Sequence, residues 1–106
     1  MSAVQFPKVL PQSLYRFFWE VDPAQLDPGK HPQYIINRLL DKGDLAAARW
    51  VLQNYPKEII VQTFRTMRDF SPWNGRFWAR YLEIPEEEVA CLQPSYLQTR
   101  RMHWPY

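Results

Sequence analysis

Four side chains near residue 25 are of the types that bind metals or transfer protons. Glu20, Asp22, Asp27 and His31 together would offer carboxylate and imidazole groups. Their spacing does not match a metal-binding pattern such as His-x-x-x-His or Cys-x-x-Cys. Both aspartates directly precede a proline, which is the ordinary chemistry of a turn or a helix start. We therefore predict a proline-rich loop with a single helical turn at residues 23–26 and no metal site.

The other reactive side chains also favour structural roles. Cys91 is the single cysteine, and nothing around it in the sequence marks it as an activated nucleophile, so we expect a small buried hydrophobe. Glu86, Glu87 and Glu88 follow Pro85 at a predicted helix start, where the helix dipole favours negative charge. The three glycines are isolated, so they form no phosphate-binding loop. The sequence therefore predicts no catalytic residues, no cofactor and no enzymatic activity.

Two short joints divide residues 33–67 into three predicted helices, which form the scaffold of the chain. Gly43 should adopt the left-handed conformation that ends the first helix, and the Asp44 carboxylate should cap the second. Pro56 suits the first turn of the third helix, and it pushes Tyr55 out of the α-helical region. Connections this short usually place neighbouring helices side by side.

The first two helices have different apolar patterns. In the first helix, Asn37, Arg38 and Asp41 are predicted to point away from a broad apolar face, which consists of Tyr34, Ile35, Ile36, Leu39 and Leu40. The second helix is apolar almost all round, which is typical of a central helix or an interface. Its predicted inner stripe is Leu45, Ala48, Leu52 and Tyr55, and Trp50 lies opposite, against a second helix or a partner.

A fourth helix is predicted to start at Ser71-Pro72, where a hydroxyl cap precedes a proline. Its large side chains recur at helical spacing: Trp73, Phe77, Trp78, Tyr81 and Leu82. Gly75 costs about 1 kcal/mol in such a helix relative to alanine, which close helix packing or fraying would explain. A last short helix should begin at Pro85 and turn Val89, Cys91 and Leu92 inward.

These signals predict an all-α fold, a compact bundle of five or six short helices. Residues 1–92 would form one domain that begins with an extended arm at residues 1–11, and residues 93–106 would form an irregular tail. The net charge of +2 is too small to imply nucleic-acid binding by itself. A single cysteine and the lack of a long apolar segment predict a cytoplasmic protein without membrane contact.

The aromatic content favours binding to another protein. The chain has five Trp, six Tyr and six Phe, more than a small helical domain can enclose. The tail is basic and aromatic, so a tail that docks on its own core or on a partner explains it better than a solvated tail. We expect a protein partner at an exposed aromatic patch and at Trp50, together with five tail residues: Arg100, Arg101, His103, Trp104 and Tyr106.

Two other classes of function fit parts of the sequence. The third and fourth helices could form a helix–turn–helix unit that binds DNA. Its candidate contacts are Asn74, Arg76 and Arg80 for the bases, with Arg65 and Arg68 for the phosphates. A self-associating structural module, a homo-oligomer without another partner, is the third class.

The residues that set the helices also carry a resemblance to a family. The run at residues 14–23, Gly43-Asp44, Phe77-Trp78 and Ile84-Pro85-Glu86-Glu87 resemble a family of small uncharacterised bacterial helical proteins over roughly residues 14–92. The chain departs from the pattern at Glu20, where aspartate is more usual. Members are often encoded beside a nucleotidyltransferase-like toxin. The resemblance therefore implies an antitoxin that neutralises this neighbouring enzyme by covering its active cleft.

Overall fold

The computed structural model describes residues 6–94, and every regular element in that range is helical, which confirms the predicted all-α class. Four α-helices carry most of the structure: α1 (Pro32–Lys42), α2 (Leu45–Asn54), α3 (Lys57–Thr66) and α4 (Pro72–Leu82). A six-residue 3-10 helix precedes them at Gln12–Phe17. Three single-turn 3-10 helices complete the set: Pro23–Gln25, Glu86–Glu88 and Ala90–Leu92.

The chain divides into two compact units, residues 1–60 and residues 61–106. Helix α3 crosses the division, so its first turn belongs to the first unit and the remainder to the second. A single domain over residues 1–92 stays a prediction. In the predicted arm, Leu10 is buried and the Phe6 ring lies 6.0 Å from the Tyr55 ring, so the described part of the arm packs on its own unit.

The predicted joint between α1 and α2 is present, but glycine serves a different purpose there. The Asp44 carboxylate accepts a hydrogen bond of 2.9 Å from the Ala47 N–H, as expected for a cap. The left-handed conformation predicted for Gly43 is wrong, because its φ of −82° and ψ of 177° are extended. A Cβ atom there would overlap the Leu39 carbonyl oxygen and lie 2.7 Å from the Ala47 Cβ. Glycine is therefore required by the close approach of α1 and α2.

The polar side of α1 is covered, so the prediction that Asn37, Arg38 and Asp41 point to solvent is wrong. Asn37 is buried, and the side chains of Arg38 and Asp41 are only 11% and 5% exposed. Tertiary packing is the reason, because the segment before α1 covers this side of the helix. The carbonyl of Phe17 in that segment accepts a hydrogen bond of 3.4 Å from Arg38. The predicted apolar face is confirmed for its four aliphatic residues, Ile35, Ile36, Leu39 and Leu40.

Helix α2 turns inward a stripe that shares only Tyr55 with the predicted one. Ala47 and Val51 are buried together with Tyr55, whereas Leu45 is 72% exposed. The contact of Ala47 with the Gly43 turn sets this rotation, because it holds the start of α2 against α1. The Tyr55 hydroxyl donates a hydrogen bond of 2.8 Å to the buried Pro28 carbonyl. Burial and the charge of Asp27 raise the pKa of Tyr55.

In the second unit, α4 packs against the chain that follows it. Ser71 caps α4 as predicted, since its Oγ accepts from the Asn74 N–H at 3.2 Å. The buried face of α4 comprises Gly75, Trp78, Ala79 and Leu82. A Cβ on Gly75 would overlap the Cys91 Sγ, so close packing explains this glycine. Cys91 is fully buried and forms no disulfide, as expected.

The segment after α4 differs from the prediction. Glu83 takes the left-handed conformation at φ 59°, a position where glycine is usual. The Ile84 N–H then donates to the Ala79 carbonyl at 2.8 Å, which buries the Ile84 side chain. The single helix predicted to start at Pro85 is replaced by two 3-10 turns. Three side chains of this segment are buried as expected: Val89, Cys91 and Leu92.

Candidate protein-binding surface

The carboxylates near residue 25 have structural partners. Asp22 accepts a hydrogen bond of 3.1 Å from the Ala24 N–H and so caps a 3-10 turn. Asp27 accepts one of 2.8 Å from the Gly29 N–H. The prediction of cap and turn chemistry is confirmed for both. In residues 6–94, no group of three or more His, Cys, Asp or Glu side chains is placed to hold a metal ion.

Glu20 belongs to a polar cluster on the first unit. Its carboxylate forms an ion pair with Arg38 and accepts a hydrogen bond of 3.1 Å from the Tyr34 hydroxyl. The Arg38 guanidinium also lies over two rings, 4.6 Å from the centre of Trp19 and 5.5 Å from that of Tyr34. This cation is satisfied inside its own unit, so the cluster fixes the loop before α1 and offers no free charge to a ligand.

Three of the most exposed aromatic side chains in residues 6–94 lie on α4: Trp73, Phe77 and Tyr81, here called the aromatic ridge. These side chains are 82%, 56% and 60% exposed. They recur at i, i+4 and i+8, so they form one row along the helix, roughly 12 Å long at 1.5 Å per residue. Elsewhere in the described chain the other aromatic side chain of comparable exposure is Trp19, at 66%.

The rings of the ridge are held in place by a buried neighbour. Trp78, on the inner side of α4, contacts Phe77 edge-on with ring centres 5.0 Å apart and Tyr81 edge-on at 5.5 Å. Phe77 and Tyr81 lie nearly parallel, with centres 6.4 Å apart. Edge-to-face geometry is favourable for aromatic pairs, so two of the three exposed rings are positioned before any partner binds.

Two arginines form a second row beside the ridge. Arg76 and Arg80 are one turn apart on α4, and together with the ridge they line a shallow groove of about 520 Å³. Neither guanidinium forms an ion pair with a residue of the range 6–94, whereas three other arginines do: Arg16 with Asp44, Arg38 with Glu20 and Arg65 with Glu88. The α4 surface, meaning the ridge plus these two arginines, therefore combines exposed rings with positive charge that no described carboxylate compensates.

Only some of the residues predicted to bind DNA are exposed and without an ion-pair partner in residues 6–94. Arg76 and Arg80 share the α4 surface, and Arg68 is exposed. Arg65 instead holds Glu88, with Nη2 2.7 Å from the carboxylate and Nε donating at 3.0 Å. Asn74 is half-buried, and its backbone N–H donates a hydrogen bond to the Ser71 hydroxyl.

The protein-binding set predicted from the sequence lies largely beyond the described part of the chain. Arg100, Arg101, His103, Trp104 and Tyr106 all fall outside residues 6–94, so their role stays a prediction. Trp50 is half-buried, and its ring meets the Tyr55 ring edge-on with centres 5.8 Å apart. Trp50 thus packs mainly within its own unit.

The helical spacing predicts a single stripe for the large side chains of α4, but the structure separates these side chains into a buried stripe and an exposed one. The signal that distinguishes them is the pair of small residues. Gly75 and Ala79 fall on one face with Trp78 and Leu82, at i, i+3, i+4 and i+7, and small residues mark the side of close contact. The remaining large residues, Trp73, Phe77 and Tyr81, are then left on the outer face.

Comparison with known proteins relates the first part of the chain to a family. Residues 14–64 match the model of a family of unknown function (DUF6922). Neither the search of curated proteins nor that of solved structures gives a match. The matched range ends within α3, so the α4 surface lies outside it. Among residues 6–94, each helix is too short or too polar to cross a bilayer.

Proposed function

We propose that this protein binds another protein through the α4 surface. The observation that carries the proposal is the ridge of three exposed aromatic side chains beside two arginines that form no ion pair within residues 6–94. Trp, Tyr and Arg are the residues most enriched among those that dominate binding energy at protein interfaces. Rings already held by Trp78 lose little conformational freedom on binding, which lowers the entropic cost.

The size of the ridge suits the centre of an interface. A buried aromatic side chain covers about 150–250 Å², so the exposed parts of these three rings offer on the order of 400 Å². The largest apolar patch on a soluble monomer is roughly 300–600 Å² and is often functional. A stable interface buries about 800 Å² on each partner. Other residues must therefore contribute, and the predicted tail contacts Arg100, Arg101, His103, Trp104 and Tyr106 are the proposed supplement.

The sequence resemblance supplies the identity of the proposed partner. It implies an antitoxin-like protein, so the partner would be a nucleotidyltransferase-like toxin encoded by the adjacent gene, and binding would cover its active cleft. The site of action would be the cytoplasm, as the single cysteine suggests. Neutralisation by a bound protein requires no catalytic residue in this chain.

DNA binding is the second candidate, favoured by the two exposed arginines on a helix that follows α3 after a short connection. The same face carries the aromatic ridge, however, and three rings would then meet the polar edges and phosphates of a major groove. Protein binding accounts for both rows of α4, whereas a recognition helix accounts only for the arginines. Self-association, the third candidate, would pair the ridges of two copies.

Co-expression with the product of the adjacent gene tests the proposal. We expect the tagged neighbour to co-purify with the full chain as one complex in size-exclusion chromatography and to be less toxic to growing cells. Substituting the ridge (Trp73→Ser, Phe77→Ser) should remove the complex and restore toxicity. Leu45→Ser is the control, because Leu45 is an apolar side chain on another helix whose exposure, 72%, lies between those of Trp73 and Phe77.

Three results would overturn the proposal. The first is a neighbour that does not bind at all, and the second is a complex that survives the ridge substitutions. The third is a gel shift with the upstream DNA that is lost on Arg76→Ala and Arg80→Ala, which would favour the transcription regulator. Circular dichroism of each variant checks that α4 stays folded, so that a lost complex reports on the surface.

A further inference from the structure

We infer that the segment bound by the α4 surface is an acidic amphipathic helix of the partner protein. This inference rests on the proposed protein-binding function and names the chemistry of what is bound. It follows from the two parallel rows on α4. The aromatic ridge would pack against an apolar stripe on the partner segment. The arginine row beside the ridge would pair with carboxylates on one flank of that stripe.

The spacing of the two rows fits a helix as the occupant. Side chains four residues apart form the ridges along which helices pack, and both rows of α4 have this spacing. Arg76 and Arg80 start roughly 6 Å apart along the axis, at 1.5 Å per residue. Glutamates at i and i+4 of a partner helix have the same separation. Laying an amphipathic helix along a hydrophobic groove is a recurrent mode of recognition.

The charge of the groove requires the occupant to be acidic. Arg76 and Arg80 have no carboxylate partner in the described chain, and α4 itself contains no Asp or Glu. A neutral apolar segment would partly desolvate two cations without compensation, which is unfavourable. Carboxylates on the partner would instead form charge-assisted hydrogen bonds with the guanidinium groups.

Two other occupants fit the charges poorly. A second copy of α4 would bring two more arginines to the interface and no carboxylate from that helix. The segment 95–106 of this chain contains Arg100 and Arg101 and no Asp or Glu, so it too would repel the arginine row. Nucleic acid is anionic, but its binding gains affinity from the many counterions that phosphate contacts release. Two arginines in a chain of net charge +2 would release few of them.

Three synthetic helical peptides of about 18 residues test the inference with the full chain. All carry the same leucine stripe, and they differ in the flanking i, i+4 pairs, which are Glu, Gln or Lys. Binding is measured by fluorescence anisotropy at low and high salt. We expect the Glu peptide to bind about tenfold more tightly than the Gln peptide, because two exposed ion pairs each contribute a few-fold, and the difference should shrink with salt.

Charge reversal provides the matched controls. Arg76→Glu with Arg80→Glu should abolish the preference for the Glu peptide and create one for the Lys peptide. Arg49→Glu with Lys57→Glu changes the net charge equally at exposed positions of the first unit and should leave the preference intact. Reversal of peptide preference is a result that mere loss of folding does not produce.

Equal affinity for the Glu and Gln peptides, or a preference that survives the charge reversal, would overturn the inference. So would no binding of any peptide, tight binding of a dT12 oligonucleotide that the reversal removes, or a dimer of this chain that Trp73→Ser dissociates. The complex with the adjacent gene product distinguishes a failure of the acidic-helix inference from a failure of the protein-binding proposal. If it is lost in the ridge variant but unchanged in the charge-reversed variant, the acidic helix is wrong and protein binding stands. If it survives both variants, both proposals fail.

Discussion

Replacing Gly75 by alanine should destabilise the protein, although alanine is the better helix former. A Cβ at this position would overlap the Cys91 Sγ, because the 3-10 turn at Ala90–Leu92 packs directly on α4. Both groups lie in the core of the second unit, and Cys91 is fully buried. The sulfur cannot swing into solvent, so relieving the conflict disturbs the packed core around Cys91.

The size of the effect follows from two opposing terms. Alanine gains about 1 kcal/mol over glycine in a helix interior. Overpacking a well-filled core costs typically about 1–3 kcal/mol. The difference is a net loss of up to about 2 kcal/mol in the free energy of unfolding. In a Cys91→Ala background, the nearest remaining atoms are those of Leu92 at 3.6 and 3.7 Å, an ordinary contact. There the same Gly75→Ala change should stabilise by about 1 kcal/mol.

A double-mutant cycle measures this change of sign. Urea unfolding of the parent, the two single variants and the double variant, followed by circular dichroism, gives the four free energies. The expected coupling between the two substitutions is about 1–3 kcal/mol. The reasoning would be refuted if Gly75→Ala had the same effect in both backgrounds, or if it stabilised the parent.

Three further predictions concern single residues. Tyr55→Phe leaves the buried Pro28 carbonyl without its donor and should cost about 1–3 kcal/mol by urea unfolding. Because the pKa of Tyr55 is raised, its stabilising effect is fully present below the ordinary tyrosine pKa of about 10 and is lost as the pH rises further. The stability of the parent should therefore fall more steeply with alkaline pH than that of this variant. Glu83→Gly removes a left-handed conformation from a non-glycine residue and should raise stability by about 0.5–1 kcal/mol, visible as a higher Tm; a lower Tm would contradict it. Hydrogen bonding from the Ala47 N–H, aided by the charge of Arg16, lowers the pKa of Asp44, so its stabilisation is present above about pH 4 and is lost as the pH falls further. Asp44→Asn keeps the cap and should flatten this acid-side loss, which acid titration followed by circular dichroism would show.

Local signals in the sequence were sufficient for the helix starts. Asp44 and Ser71 cap their helices as predicted, and Pro56 follows an extended Tyr55. Each of these depends on a few neighbouring atoms, so the residue types determine the outcome. The same local reasoning was wrong for Gly43, because glycine is needed there for the contact of α1 with α2 and not for a left-handed turn.

The orientation of the helices required tertiary information. Arg38 looks like a solvent-facing residue of an amphipathic helix, yet the ring of Trp19 and the carboxylate of Glu20 cover it. The residues that cover it lie nearly twenty positions earlier, beyond the reach of periodicity. Leu45 is the opposite case, an apolar residue left exposed because Ala47 occupies the contact.

The candidate surface was only partly predictable. The surplus of aromatic residues correctly indicated exposed rings, and Arg76 and Arg80 were recognised as surface residues of the fourth helix. The division of the α4 aromatics between core and surface depends on where Cys91 packs, because that contact selects the Gly75 face as the buried one. Within α4 the small residues Gly75 and Ala79 mark the buried face, but the turn that covers this face comes later in the chain, at Ala90–Leu92.

The most direct test of the central claim compares two exposed tryptophans against the product of the adjacent gene. Trp73 lies in the aromatic ridge and Trp19 lies on the first unit, at 82% and 66% exposure. By isothermal titration calorimetry, Trp73→Ala should weaken the complex by about 30-fold or more, the equivalent of about 2 kcal/mol for a dominant contact. Trp19→Ala should change the dissociation constant less than about threefold. Equal effects, or a loss confined to Trp19→Ala, would contradict the assignment of the binding surface to α4.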